Sequence, residues 1–127
     1  MLEVTAGIIK NEGKYLICQR AKDDEAPESW EFPGGKLEVG ETLEQCIIRE
    51  IKEELNLDVE VIEKFDTTLF NHNDKTIHVT FFKCNIVGGE LIMNVHMDYA
   101  WVEPKDLTSY DFLPADKDVI ERLSMNS

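Results

Sequence analysis

The sequence predicts an α+β domain, an α/β/α sandwich in which a mixed, mostly antiparallel β-sheet lies between helices. Three observations carry this. Apolar and β-branched runs of strand length fill both halves of the chain, one long segment repeats its apolar residues every four positions, and a shorter helical segment follows near the C-terminus. A chain of 127 residues is expected to form one domain over 1–127 with a core that needs no staples.

The runs "EVTAGIIK" and "KYLICQR" are joined by "NEG", which predicts a hairpin turning at Gly13. "AKDDEAPESWEFPGGK" then predicts a polar loop, and Gly34 and Gly35 after Pro33 let a ligand come close to the main chain. "TLEQCIIREIKEELNL" predicts the main helix. Thr42 with Gln45 three residues on makes a capping-box pattern, and Leu43, Ile47, Ile51 and Leu55 form a core stripe widened by Cys46 and Ile48. Asn56 falls where a left-handed residue would end it. "DVEVIEKFDTTLF" and "KTIHVTFFKCNIV" predict a long hairpin with "NHND" at its tip, "VGGELIM" and "YAWVEP" two further short strands, and "PADKDVIERL" the second helix.

The formal charge of -13, from 26 acidic and 13 basic residues, excludes unspecific adhesion to nucleic acid polymers or anionic membranes, both of which require a basic surface. It leaves room for a small anionic substrate that arrives with a divalent cation. The three cysteines, Cys18, Cys46 and Cys84, sit in apolar runs and read as reduced core thiols of a cytoplasmic protein. No apolar run reaches the roughly 18 residues of a membrane span, and the N-terminus carries no signal-peptide pattern.

Within "REIKEE", Glu50, Glu53 and Glu54 share one helical face close to the C-terminal end, where the helix dipole disfavours anions. Two readings stand: a solvated face diluted by Arg49 and Lys52, or a ligand set for a hard cation such as Mg²⁺ or Mn²⁺.

The surroundings weigh on this choice. "GGKLEVGETLEQCIIREIKEELNL" resembles the Nudix box, with the pattern falling on Gly35, Glu41, Arg49, Glu50, Ile51, Glu53, Glu54, Asn56 and Leu57, that is, over residues 35–57. Asn56 stands where the family usually has glycine, and asparagine tolerates the same left-handed backbone. With "TAGIIK", "WEFPGGK" and "FLPADKDVIERL", the chain is similar to the MutT branch over most of its length.

The resemblance implies a Nudix fold and a metal-dependent nucleoside triphosphate pyrophosphohydrolase. It would use Mg²⁺ or Mn²⁺ and release a monophosphate and pyrophosphate, as in cleansing the nucleotide pool of 8-oxo-dGTP. It makes Glu50, Glu53, Glu54 and the Gly34 carbonyl metal ligands, with Arg49 orienting a glutamate and Glu41 approaching the metal or tying the loop to the helix. Arg20 and Lys36 are implied phosphate contacts, each with a plain surface-charge reading beside it. Relatives carry a further glutamate six residues before a tryptophan such as Trp101; here Val95 stands there, so Asp98, ahead of His96, is the candidate general base. Asp116, after "PA", is implied to reach the base: an ionised carboxylate would accept from two N–H donors, whereas a structural reading makes it a helix cap. Phe32 could stack on a base or lie in the core. Acting on CTP or a modified dCTP, on another nucleoside diphosphate linkage, or as a nucleotide sensor without catalysis are the alternatives, and the chain is expected as a monomer or homodimer.

Overall fold

The computed structural model describes residues 1–22 and 26–125. Its regular elements are β1 (Leu2–Asn11), β2 (Lys14–Gln19), β3 (Trp30–Glu31), β4 (Gly34–Lys36), α1 (Leu43–Leu55), β5 (Leu57–His72), β6 (Lys75–Gly89), β7 (Asp98–Val102) and α2 (Lys117–Met125).

β1 organises the sheet. One edge runs parallel to β6 from Leu2 beside Ile77 to Ile9 beside Cys84, while Val4 to Ala6 pair antiparallel with β4 and Lys10 and Asn11 turn back onto β2. β2 carries β3 and β7, and β5 pairs antiparallel with β6, so β1 against β6 is the one parallel pairing of named strands, with a single parallel bridge from Trp30 to Phe112 beside it, in a mostly antiparallel sheet among the described residues. Strand alternation then feeds two cores. Ile8 and Phe81 pack with Val119, Ile120 and Leu123 of α2, whereas their neighbours Ile9 and Phe82 pack with Ile47, Ile51 and Leu55 of α1. The two helices therefore cover opposite faces, as an α/β/α sandwich requires.

The caps of α1 follow from its sequence. Thr42 Oγ1 accepts from Gln45 N–H at 3.1 Å and Gln45 Oε1 accepts from Thr42 N–H at 2.8 Å, closing the capping box. Asn56 adopts φ 59° and ψ 26°, the left-handed stop, and its N–H reaches the Lys52 carbonyl at 3.0 Å. Packing onto the sheet is set by Gly7, where a Cβ would stand 2.7 Å from Ile51 Cδ1. Ile48 corrects the expected stripe: it is 39% exposed, because a step of about 100° from Ile47 turns it away from the sheet.

Other expectations are also corrected. The expected polar loop contains β3 and β4, since "WE" and "GGK" find partners in β2 and β1; its Asp23, Asp24 and Glu25 lie outside the described residues. No strand forms over "ELIM", because β6 ends at Gly89 and residues 90–94 bond to the C-terminal end of α1 instead. Ile92 N–H donates to Leu55 O and Asn94 N–H to Glu54 O, both at 2.9 Å, while Asn94 Nδ2 donates to Glu53 O at 2.9 Å. A helix C-terminus leaves carbonyls without intrahelical partners, and this segment satisfies three of them. Two short 3-10 turns, Pro104–Ser109 and Pro114–Asp116, were not anticipated, and α2 starts at Lys117 rather than at Pro114.

Thr42→Ala removes the acceptor of the capping box. Urea unfolding is expected to show a loss of about 1 kcal/mol with an unchanged slope.

Candidate active site

β4 presses onto β1 so closely that a Cβ on Gly34 would lie 2.0 Å from the Thr5 carbonyl oxygen, and one on Gly35 would lie 2.5 Å from the Glu50 carboxylate. Only glycines let the Glu50 carboxylate rest on the strand backbone. The loop from β4 returns to α1 through Glu41, and there Arg49 gathers the acids. Its Nε and Nη2 donate to the two oxygens of Glu41 at 2.9 and 2.7 Å, and Nη2 also reaches the Lys36 carbonyl at 3.0 Å. Nη1 donates to Glu50 Oε1 at 2.7 Å and to Glu53 Oε2 at 3.3 Å. The planar guanidinium matches this divergent set as no ammonium could. Hydrogen bonds from Arg49, with the Glu38 N–H at 3.0 Å, hold the Glu41 carboxyl down at about 2, and the same acids raise the Arg49 pKa. Glu41 therefore ties the loop to the helix.

Glu54 lies apart from Arg49. Burial, then the neighbouring carboxyl of Glu50 and the charge of Glu31, push its pKa well up, against the Gly34 N–H that favours the anion. Its Oε1 is buried with no hydrogen-bond partner. The cation that offsets the helix end is thus a guanidinium for Glu50 and Glu53, while Glu54 keeps an unmet acceptor beside a second carboxyl. Among the described residues no three acidic, imidazole or thiol groups converge as a ready ligand set, because Glu50 and Glu53 are turned towards Arg49. The donors nevertheless suit a hard cation: all are oxygens, Glu54 Oε1 is bare, and Glu50 has side-chain reach to it.

A cleft of about 590 Å³ opens over this spot, lined by Arg20, Glu31, Lys36, Glu54, His96 and Asp116 among others. Lys36 is exposed at its rim. Arg20 Nη1 donates to Glu31 Oε1 at 2.8 Å. Asp116 is 5% exposed and accepts from the Phe32 N–H at 3.3 Å. Burial, helped by the charge of Glu31, pushes its carboxyl up to about 8, so at neutral pH it is largely protonated and offers a donor beside an acceptor. The Phe32 ring is 3% exposed between Phe81 and Phe112, and it is the backbone of this residue that meets Asp116. Asp98 sits on β7 opposite Gln19, is exposed, accepts from the Tyr99 N–H at 2.8 Å, and does not line the cleft.

Glu31 escaped sequence reasoning, although strand alternation beside the buried Phe32 is a signal that could have drawn attention to it. His96 was weighed only behind Asp98, and no spacing marks it. Its Nε2 meets Glu31 Oε2 at 2.8 Å, a contact made across 65 residues.

A mixed sheet between two helices, with a glycine-flanked acidic helix facing a cleft, is the arrangement of a NUDIX fold. The NUDIX domain model matches residues 1–123, and the chain belongs to that family. It is 37% identical to the 8-oxo-dGTP diphosphatase of Haemophilus influenzae, with 97% of this chain and 91% of that protein aligned. It is 32% identical to the CTP pyrophosphohydrolase of Escherichia coli K12, over 95% of this chain and 90% of that protein. Among solved structures, that of the E. coli ORF135 protein superposes with a TM-score of 0.84 at 32% identity, covering 95% of this chain and 86% of that one. No helix among the described residues is long and apolar enough to cross a membrane.

The folded protein keeps the Asp116 proton up to about pH 8, whereas the unfolded chain releases it near 3.8. Between those values the folded state binds more protons, so this group makes stability fall as pH rises. Asp116→Asn is expected to flatten that decline, read as urea midpoints across the window, with Glu54 supplying the slope that remains.

Proposed function

We propose that this chain is a nucleoside triphosphate pyrophosphohydrolase that uses a divalent cation, Mg²⁺ or Mn²⁺, and releases a monophosphate and pyrophosphate. The observation that carries the reading is the bare, buried Glu54 oxygen beside Glu50, in the same cleft as Asp116. Glu50, Glu53, Glu54 and the Gly34 carbonyl would hold the cation, with Glu53 turning from Arg49. Such an ion neutralises charge on phosphate oxygens and lowers the pKa of bound water.

The chain's own groups do the rest. Arg49 keeps Glu41 and Glu50 in register while a substrate binds. Arg20 and Lys36 supply positive charge on the cleft wall for the phosphates. Asp116, as a neutral acid, pairs with a base edge that presents one donor and one acceptor. An 8-oxopurine does so with N7–H and O6, which fits the name of the H. influenzae relative. Cytosine does so with N4–H and N3, which fits the name of the E. coli relative and makes a cytosine nucleotide the second reading.

Two measurements test this. Pyrophosphate release from 8-oxo-dGTP, dGTP, dCTP, 5-methyl-dCTP and CTP with Mg²⁺ is expected to favour one base, and Glu53→Gln is expected to lower kcat by about 100-fold or more. Release from none of them would overturn the reading. Independently, Mg²⁺ is expected to raise the melting temperature by mass action, with the rise reduced in Glu54→Gln.

A further inference from the structure

The cleft-lining acids among the described residues are Glu31, Glu54 and Asp116. If Glu54 serves the cation and Asp116 the base, Glu31 is left without a task, yet it is the most carefully held of the three. Arg20 Nη1 donates to its Oε1 at 2.8 Å and His96 Nε2 meets its Oε2 at 2.8 Å. Each oxygen therefore has one bond and keeps capacity for another. The His96 side chain is 4% exposed, and its Nδ1 is buried without a partner. With the carboxylate on Nε2, the ring proton belongs there and the ring's one useful bond goes to Glu31. Among the described residues, the contact with Glu31 is the one hydrogen bond given to the His96 ring.

The place of Glu31 along the chain is equally telling. It precedes Phe32, whose N–H holds Asp116, and lies three residues before Gly34, whose N–H reaches Glu54. The charged and titratable groups that face it are Cys18 from β2, Arg20 just after that strand, His96, Glu54 from α1 and Asp116. A carboxylate here stands between the base end and the phosphate end of the cleft. Val95, next to His96, brings an apolar side chain to the same lining and can accept no proton.

We propose that Glu31 is a catalytic residue that holds the attacking water and takes its proton, and that His96 is the positioning residue that aims it, with Arg20 as the second point of the clamp. In the step, the water oxygen forms a bond to a phosphorus of the cleaved bridge, the bridging P–O bond breaks with its electron pair leaving on the departing phosphate group, and the water proton passes to the Glu31 carboxylate. The inference rests on the pyrophosphohydrolase reading. It differs from that reading in what would sink it, because wild-type turnover tests the reading and the variants test the role of Glu31.

The experiment is steady-state kinetics at saturating Mg²⁺ on the best triphosphate of the panel, with melting temperatures measured alongside. Glu31→Gln is expected to lose about 100-fold or more in kcat with little change in KM. His96→Leu is expected to lose about tenfold or more in kcat, and His96→Gln, which can still present an amide N–H to Glu31, to recover most of it. Glu31→Gln turning over within about threefold of wild type would overturn the proposal. So would a variant defect that extra Mg²⁺ repairs, which would make Glu31 a metal ligand, or a His96→Gln no faster than His96→Leu. Should Glu31→Gln fail to fold, Glu31→Asp decides instead: the retracted carboxylate must lower kcat, and wild-type kcat there refutes the role. A wild type without turnover would remove the underlying reading.

Discussion

The site depends on one guanidinium. Glu41, Glu50 and Glu53 repel one another, and near the end of α1 the helix dipole disfavours the last two. Arg49 turns that repulsion into a scaffold by donating to all three and to the Lys36 carbonyl, binding β4, the connecting loop and the helix at one point. Glu41 takes two of these bonds and is held most firmly of the three. Glu53 takes one long bond at 59% exposure and is the acid most easily released to another cation.

Around this scaffold, close approach does the remaining positioning. Gly7 brings α1 onto β1, and Gly34 and Gly35 bring β4 onto β1 and under Glu50. The irregular segment 90–97 then ties the end of α1 to the cleft wall. Asn94 bonds the carbonyls of Glu53 and Glu54, and His96, two residues later, bonds Glu31. A segment that could have extended the sheet instead connects the acidic helix to the opposite side of the cleft.

Burial divides the acids by task. Glu41, paired with Arg49, is pulled to about 2, whereas burial pushes Asp116 up to about 8 and raises Glu54 as well. A carboxyl group is therefore held as an anion in one place and pushed towards its protonated form in another, and the difference is desolvation against pairing. Dry acids reduce stability at neutral pH, as functional sites commonly do.

The sequence by itself determined whatever depends on local geometry. The capping box at Thr42, the left-handed stop at Asn56, the face shared by Glu50, Glu53 and Glu54, and the alternation that makes β5 and β6 a hairpin all follow from periods of 3.6 and 2. Tertiary structure decided what depends on distant partners. Residues 90–93 lost their expected strand because the carbonyls of α1 needed donors, and Ile48 left the stripe because the sheet covers only part of the helix. The Asp116 carboxyl is pushed up because the fold dries it, and Glu31 met His96 across 65 residues. Period and propensity act through neighbours along the chain, whereas desolvation and long-range pairing exist only once the chain has closed on itself.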